Sequence, residues 1–227
     1  MVGSEVDGFK WLNQQWHIKE PVHPNEIKDY DAILISQSYT DHCHTETLDL
    51  FDDNKPILAS ELAYKRLTKF YRGKKDIHLM KSHEWTNFNQ IEIMPLHPGN
   101  KMDPVYFAHV LKSGDSAIFY ASHGFKLSDH QWDLIKDLKY KLLITTFTEF
   151  SLPKIMGGKV NPGMENVQYL VDKLNPEKVM NTHDEQKKMK GLVSKLAKIN
   201  YQDFKSNKDL YPFEYIYVPN YEELNLS

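Results

Sequence analysis

At 227 residues, with 41% hydrophobic and 26% charged side chains, the chain has ordinary globular composition and enough length for a sizeable core. A net charge of -3, spread over both signs, argues against nucleic acid or an anionic membrane as partner, and no apolar run reaches the ~18 to 20 residues of a membrane span. A single cysteine cannot close an intramolecular disulfide, and the N-terminus, MVGSEVDGFKWLNQQW, has neither a basic region nor an apolar core, which together favour a cytoplasmic setting.

In chain order, residues 1–30, with Trp11, Trp16, Pro21 and Pro24, predict irregular structure or a short helix covering something apolar. DAILIS (31–36) predicts a strand buried on both faces, followed by a loop that enters a helix with Thr45 as N-cap. PILAS (56–60) predicts a strand, and 61–71 a helix capped by Ser60. Strands are expected at 76–80 and 90–96, then a hairpin of 104–112 and 116–121 around an SGD turn. Residues 128–139 predict a helix capped by Ser128, and 141–147 a buried strand. A helix with proline near its start is expected at 162–176, and a strand ending in histidine at 177–183. Residues 184–199 predict a helix and 212–219 a closing strand. No repeat, low-complexity tract or Gly/Ser linker divides the chain, so 1–227 reads as a single domain.

Apolar strands alternating with amphipathic helices predict an α/β layered protein. The consecutive strands between 76 and 121 make its sheets partly antiparallel, which favours a four-layer αββα sandwich. Sites in α/β sheets gather where strands end in loops. Asp41 and His42 follow DAILIS, His97 follows EIMPL, His123 follows AIFYAS and His183 follows KVMNT.

Those junctions carry a resemblance. The segment Gln37-Ser38-Tyr39-Thr40-Asp41-His42, with LHPGN (96–100), IFYASHGF (118–125) and VMNTHDE (179–185), resembles the metallo-β-lactamase fold superfamily, over roughly residues 30–190. The pattern Gln-x-x-x-Asp-His-x-His is closest to a divergent, metal-dependent-hydrolase-like subgroup. The superfamily places His-x-His-x-Asp-His after an apolar strand; here the Asp-His half stands, while Gln37 and Tyr39 replace the leading histidines. Ser122 and His123 stand where the family has Gly-Asp, and His183 matches the final histidine. The resemblance implies a metallo-β-lactamase-type sandwich that starts without the family's first strands, leaving a sheet edge that a second subunit of a homo-oligomer could cover. It also implies one surviving metal position of two.

Imidazole and carboxylate donors suit Zn, Mn or Fe, and a bound ion makes hydroxide available near neutral pH. Asp41, His42 and His183, with His123 or His44 as a fourth ligand, are the candidate set for one ion. Asp41 is also the candidate catalytic residue, as acceptor of a proton from the attacking water. Glu46 or a backbone carbonyl is expected to orient His42. His44 faces the same way as His42 if the loop is extended, but towards the loop's own backbone if a helix begins at Thr45. His97 serves pocket or packing, His123 a ligand role or a cap, and Cys43 is expected as a small buried residue. His17, His23, His78, His83, His109 and His130 read as surface or ordinary packing residues. MGGKVNPG (156–163) lacks phosphate-loop spacing and reads as a flexible loop near the pocket, with Lys154 or Lys159 attracting an anionic group. The expected function is hydrolysis of a small ester, lactone or phosphoester; the alternative is an inactive family member that binds a ligand or partner through the same cleft.

Overall fold

A computed structural model describes residues 4–6, 10–19, 22–98, 107–156, 158–202, 211–218 and 224–226. Strands β1 (Ser4–Val6) and β2 (Gln14–His17) pair antiparallel near the N-terminus. They are followed by β3 (Ile33–Ile35), the short helix α1 (Thr45–Leu48), β4 (Ile57–Ser60), helix α2 (Glu61–Tyr71) and β5 (Ile77–Met80). Four antiparallel strands come next: β6 (Thr86–Phe88), β7 (Ile91–Leu96), β8 (Ala108–Ser113) and β9 (Ser116–Ala121). Then come helix α3 (Asp129–Ile135), β10 (Lys139–Thr145), β11 (Glu149–Ser151), β12 (Lys159–Pro162), helix α4 (Met164–Leu174) and β13 (Lys178–Asn181). The described elements close with β14 (Lys187–Lys190), α5 (Leu192–Leu196) and β15 (Lys198–Asn200).

Two sheets face each other. The smaller is parallel, in the order β3-β4-β5, and the larger runs β13-β10-β9-β8-β7-β6. All four residues of β4 are buried, as expected of a strand covered on both faces, which is why ILAS shows no polar alternation. Ile57 and Ala59 pack on Ala63, Leu67 and Tyr71, the i, i+4, i+8 stripe of α2. Leu58 points the other way and meets Met80 and Ile93, which joins the two sheets. The far face of the large sheet, with Met94, Val110, Phe119 and Leu143, is covered by Ile135 of α3 and by Val167 and Leu170 of α4. These contacts make four layers: α2, small sheet, large sheet, and α3 with α4. Among the described residues β3 pairs on one side only. The N-terminal strands do not extend it, because β2 pairs with β14 instead.

Several local expectations are corrected. The first thirty residues contain the unexpected strands β1 and β2 together with a short 3-10 helix, Pro24–Glu26, so the expectation of irregular structure or a short helix holds only in part. Residues 184–199, rich in helix-forming Lys, Met and Leu, do not form one helix. Lys187–Lys190 extends to pair with Gln14–His17, and Gly191 then turns with φ 110°. A Cβ at Gly191 would lie 2.7 Å from the Leu12 carbonyl oxygen, so this turn admits only glycine. The amides of Leu192 and Val193 donate to Trp11 and Leu12, which locks the break in place. Tertiary pairing overrides local propensity here.

Thr45 is the first helical residue of α1 and His44 its N-cap. Ser60 precedes α2, but its hydroxyl donates to the Ser36 carbonyl instead of capping. Ser128 closes a full capping box with Gln131. The expected closing strand makes a single bridge, Tyr215 to Val179, and its residue 219 lies outside the described residues, as do 104–106 of the expected hairpin. Part of MGGKVNPG is strand β12, paired with β11. No helix among the described residues is long and apolar enough to cross a membrane.

Candidate metal centre

Strand β3 of the small sheet and the mutually parallel strands β9, β10 and β13 of the large one deliver their following loops to one region of the sandwich. After β3 the chain buries Ser36 and Gln37 and then turns, with the His42 and Cys43 amides donating to the Tyr39 carbonyl. Cys43 anchors this turn in the small core beside Ile35 and Leu48. Burial pushes its thiol up to about 11, so it stays protonated and is no thiolate ligand. After β9, Gly124 at φ 77° lets the chain double back so that His123 points inward. After β13, His183 itself adopts a left-handed conformation with φ 57°. The Asp184 carboxylate holds that corner by accepting from the amides of Phe147 and Thr148, the Thr146 hydroxyl and the Asn181 side-chain amide. Burial raises its pKa while these donors pull it back down.

Asp41, His42, His123 and His183 each turn one donor atom into a common space, and these atoms all lie within 4.8 Å of one another. His42 Nε2 is 3.0 Å from His123 Nε2. Asp41 Oδ2 is 3.6 Å from His42 Nε2 and 3.9 Å from His183 Nε2. A tetrahedral ion with bonds of ~2.0 to 2.1 Å has ligand edges of roughly 3.3 to 3.4 Å, which these separations bracket. His183 Nε2 is buried with no hydrogen-bond partner, a costly state for a polar atom that a cation relieves, and the second carboxylate oxygen of Asp41, Oδ1, is likewise unpaired. Burial first, then the neighbouring His123, holds the pKa of both His42 and His183 well below the ordinary histidine value. Lys187, whose side chain is 10% exposed and 3.2 Å from Glu185, adds to this depression in both. The imidazoles are thus neutral at physiological pH, the form that binds metal. The residues present fit a divalent ion.

Of the other sequence candidates, His44 is outside the cluster. As N-cap of α1 it bonds Thr47 Oγ1 at 2.8 Å, and Glu46 lies 3.9 Å from it rather than orienting His42. His97 bonds the Pro98 carbonyl and packs edge-on against Phe107. Lys159 is engaged by Glu165 at 3.3 Å and Glu149 at 4.0 Å. Two residues that the sequence does not single out as partners touch the cluster. Asn161 of β12 accepts from His123 Nδ1 at 2.7 Å, and Gln37 lies 2.9 Å from His123 Nε2. No local pattern marks Asn161; it arrives through the pairing of β12 with β11.

Neither a family model nor the sequence of a curated protein matches this one. Solved structures do. The chain is similar to a possible metal-dependent hydrolase from Veillonella parvula, at 15% identity and TM-score 0.52 over 67% of this chain and 62% of that one. It is similar to an isothiocyanate hydrolase from Delia radicum gut bacteria, at 15% identity and TM-score 0.55 over 72% and 66% of the two chains. It is also similar to Igni18, a metallo hydrolase of the archaeon Ignicoccus hospitalis, at 14% identity and TM-score 0.51 over 67% and 63%. The chain has the metallo-β-lactamase fold. It spans less than two thirds of the length of the Veillonella and archaeal proteins, 62% and 63% respectively.

Within this metallo-β-lactamase fold, the loop after β3 sends Asp41 and His42 into the cluster, whereas Tyr39 is 41% exposed and takes no part. Asn161 fixes the His123 tautomer with the proton on Nδ1 and the lone pair on Nε2. Replacing Asn161 with alanine is expected to weaken metal binding about 10- to 100-fold. Titration calorimetry of chelator-stripped protein checks this, and an unchanged affinity would show that the ring needs no such partner.

Proposed function

We propose that the protein is a metal-dependent hydrolase with one ion, Zn or alternatively Mn or Fe, held by Asp41, His42, His123 and His183, and that it acts on a small ester, lactone or phosphoester. The observation carrying this reading is the convergence of four donor atoms within 4.8 Å, one of which, His183 Nε2, is buried without a hydrogen-bond partner. A divalent ion in that position supplies Lewis acidity and lowers the pKa of a water towards ~7. The residues of the chain do the rest. Asn161 orients His123, and Asp184 fixes the corner that carries His183. Asp41 turns Oδ2 to the histidines and keeps Oδ1 unpaired, so Oδ1 takes the proton of the attacking water and returns it to the leaving group. Lys187 places a positive charge beside the cluster, which favours substrates that gather negative charge on the way to products. A cytoplasmic location is part of the proposal, supported by the lone, buried, protonated Cys43.

Purification without chelator or metal-affinity tag, followed by elemental analysis, is expected to find close to one equivalent of ion per chain. Aryl esters, lactones and aryl phosphodiesters then test turnover. Protein that carries no ion, and whose thermal stability ignores added Zn, Mn or Fe, refutes the reading. A second reading, binding of a ligand or partner without turnover, draws on the replacement of the leading histidines by Gln37 and by the exposed Tyr39. One equivalent of ion with no turnover of any of these substrates supports it.

A further inference from the structure

The His123 imidazole has one lone pair to offer, and two groups reach for it. Its Nδ1 donates to Asn161 Oδ1, so the lone pair sits on Nε2. Gln37 Nε2 lies 2.9 Å from that nitrogen and His42 Nε2 lies 3.0 Å from it. A single imidazole lone pair accepts one good hydrogen bond, not two. The other end of the Gln37 amide is worse placed: Gln37 is 1% exposed, and its Oε1 is buried without a hydrogen-bond partner. An amide oxygen stripped of water and left unpaired destabilises the folded state by its full desolvation penalty.

A half-turn about the Cγ–Cδ bond exchanges the amide oxygen and nitrogen with no change in side-chain shape. Oε1 then takes the place of Nε2, 2.9 Å from His123 Nε2, nearly the 3.0 Å that separates the two histidine donors. An oxygen at that spacing meets the lone pairs of neighbouring donors head-on, which is repulsive unless a cation lies among them. With a cation present it is the spacing of one more ligand. Carbonyl oxygens of this kind suit hard divalent ions, Mn among them.

We propose that Gln37 is a metal ligand whose amide turns over on loading. Without the ion it donates to His123 and holds the ring in place; with the ion it presents Oε1 beside Asp41, His42, His123 and His183. Being neutral, it adds a donor without changing the single negative charge that Asp41 gives the set. The inference rests on the reading of the cluster as a metal site.

The test titrates Zn into chelator-stripped wild type, Q37M and Q37E by calorimetry, and records the visible absorption of the Co-loaded proteins. Methionine matches the length of glutamine but offers neither amide end; glutamate keeps an oxygen at the same reach. Q37M is expected to bind Zn at least ~10-fold more weakly, by analogy with losses around metal sites, while Q37E binds at least as tightly as wild type. Co absorption is expected to intensify in Q37M, as the donor count falls towards a tetrahedral set. Q37M binding as tightly as wild type, or tighter, overturns the role of Gln37 and leaves the metal site standing. Wild type that binds no ion overturns both. If Q37M fails to fold, Q37E decides: weaker binding than wild type overturns the proposal.

Discussion

Replacing His183 with alanine is expected to abolish stoichiometric metal binding. His183 is one of four donors, and its Nε2 is buried with no other partner, so nothing nearby substitutes for it. The loss is expected to exceed the ~10- to 100-fold typical of residues that merely orient ligands. Stability provides an independent readout. At an ion concentration a thousandfold above Kd, binding stabilises the folded state by about 4 kcal/mol. For a chain of this length that corresponds to a rise in Tm of roughly 8 to 16 °C. Wild type is expected to show this rise on saturation, and H183A to show none. Alanine at φ 57° also carries backbone strain, so the metal-free variant melts below metal-free wild type. His183→Asn separates the two effects, because asparagine tolerates the left-handed region. H183N is expected to recover metal-free stability without recovering the metal-dependent rise. Equal metal content in H183A and wild type would remove His183 from the site.

The features legible in the sequence are those written locally. The parallel strands β3 and β4 read as short unbroken apolar runs because both faces are covered. Helix α2 could be read from Glu61 to Tyr71 because Ala63, Leu67 and Tyr71 recur at helical spacing. The strand-end positions of Asp41, His42, His123 and His183 are likewise local, and the fold brings those four to one place. His44 shows the limit: α1 begins one residue after it, so it takes the N-cap position, bonds Thr47 Oγ1 and stays outside the cluster. Asn161 and Gln37 had no local signature as partners of His123, one being 38 residues distant and the other 86. Their roles depend on sheet register and on which end of a buried amide faces inward. The extension of 187–190 also depends on a distant partner, since β2 and the close approach of Leu12 to Gly191 outweigh helix propensity.

His109, which the sequence offers only as a packing residue, is expected to make the protein acid-sensitive. It is fully buried on β8, and it alternates with Ala108 and Val110, which face the helices. Its ring therefore lies between the two sheets, near Tyr120, and neither ring nitrogen has a hydrogen-bond partner. Burial alone lowers its pKa from 6.5 to about 3. In the unfolded chain the ring protonates near pH 6.5; in the folded protein it stays neutral down to about pH 3. The unfolded state thus binds the extra proton across that window, so stability is retained above pH 6.5 and falls as the pH is lowered towards 3. At about 1.4 kcal/mol per pH unit, the loss between pH 7 and pH 4.5 from this residue is roughly 2 to 3 kcal/mol. His109→Leu removes both the proton site and two unpaired polar atoms. It is expected to raise stability at pH 7 by about 1 to 3 kcal/mol. Its advantage should widen by a further ~2 to 3 kcal/mol when the pH drops to about 4.5. Urea unfolding of both proteins at the two pH values isolates His109 from the other histidines, because those are common to both. An advantage of the same size at both pH values would mean that the ring finds a proton-compatible partner between the sheets, and the neutral buried state would have to be abandoned.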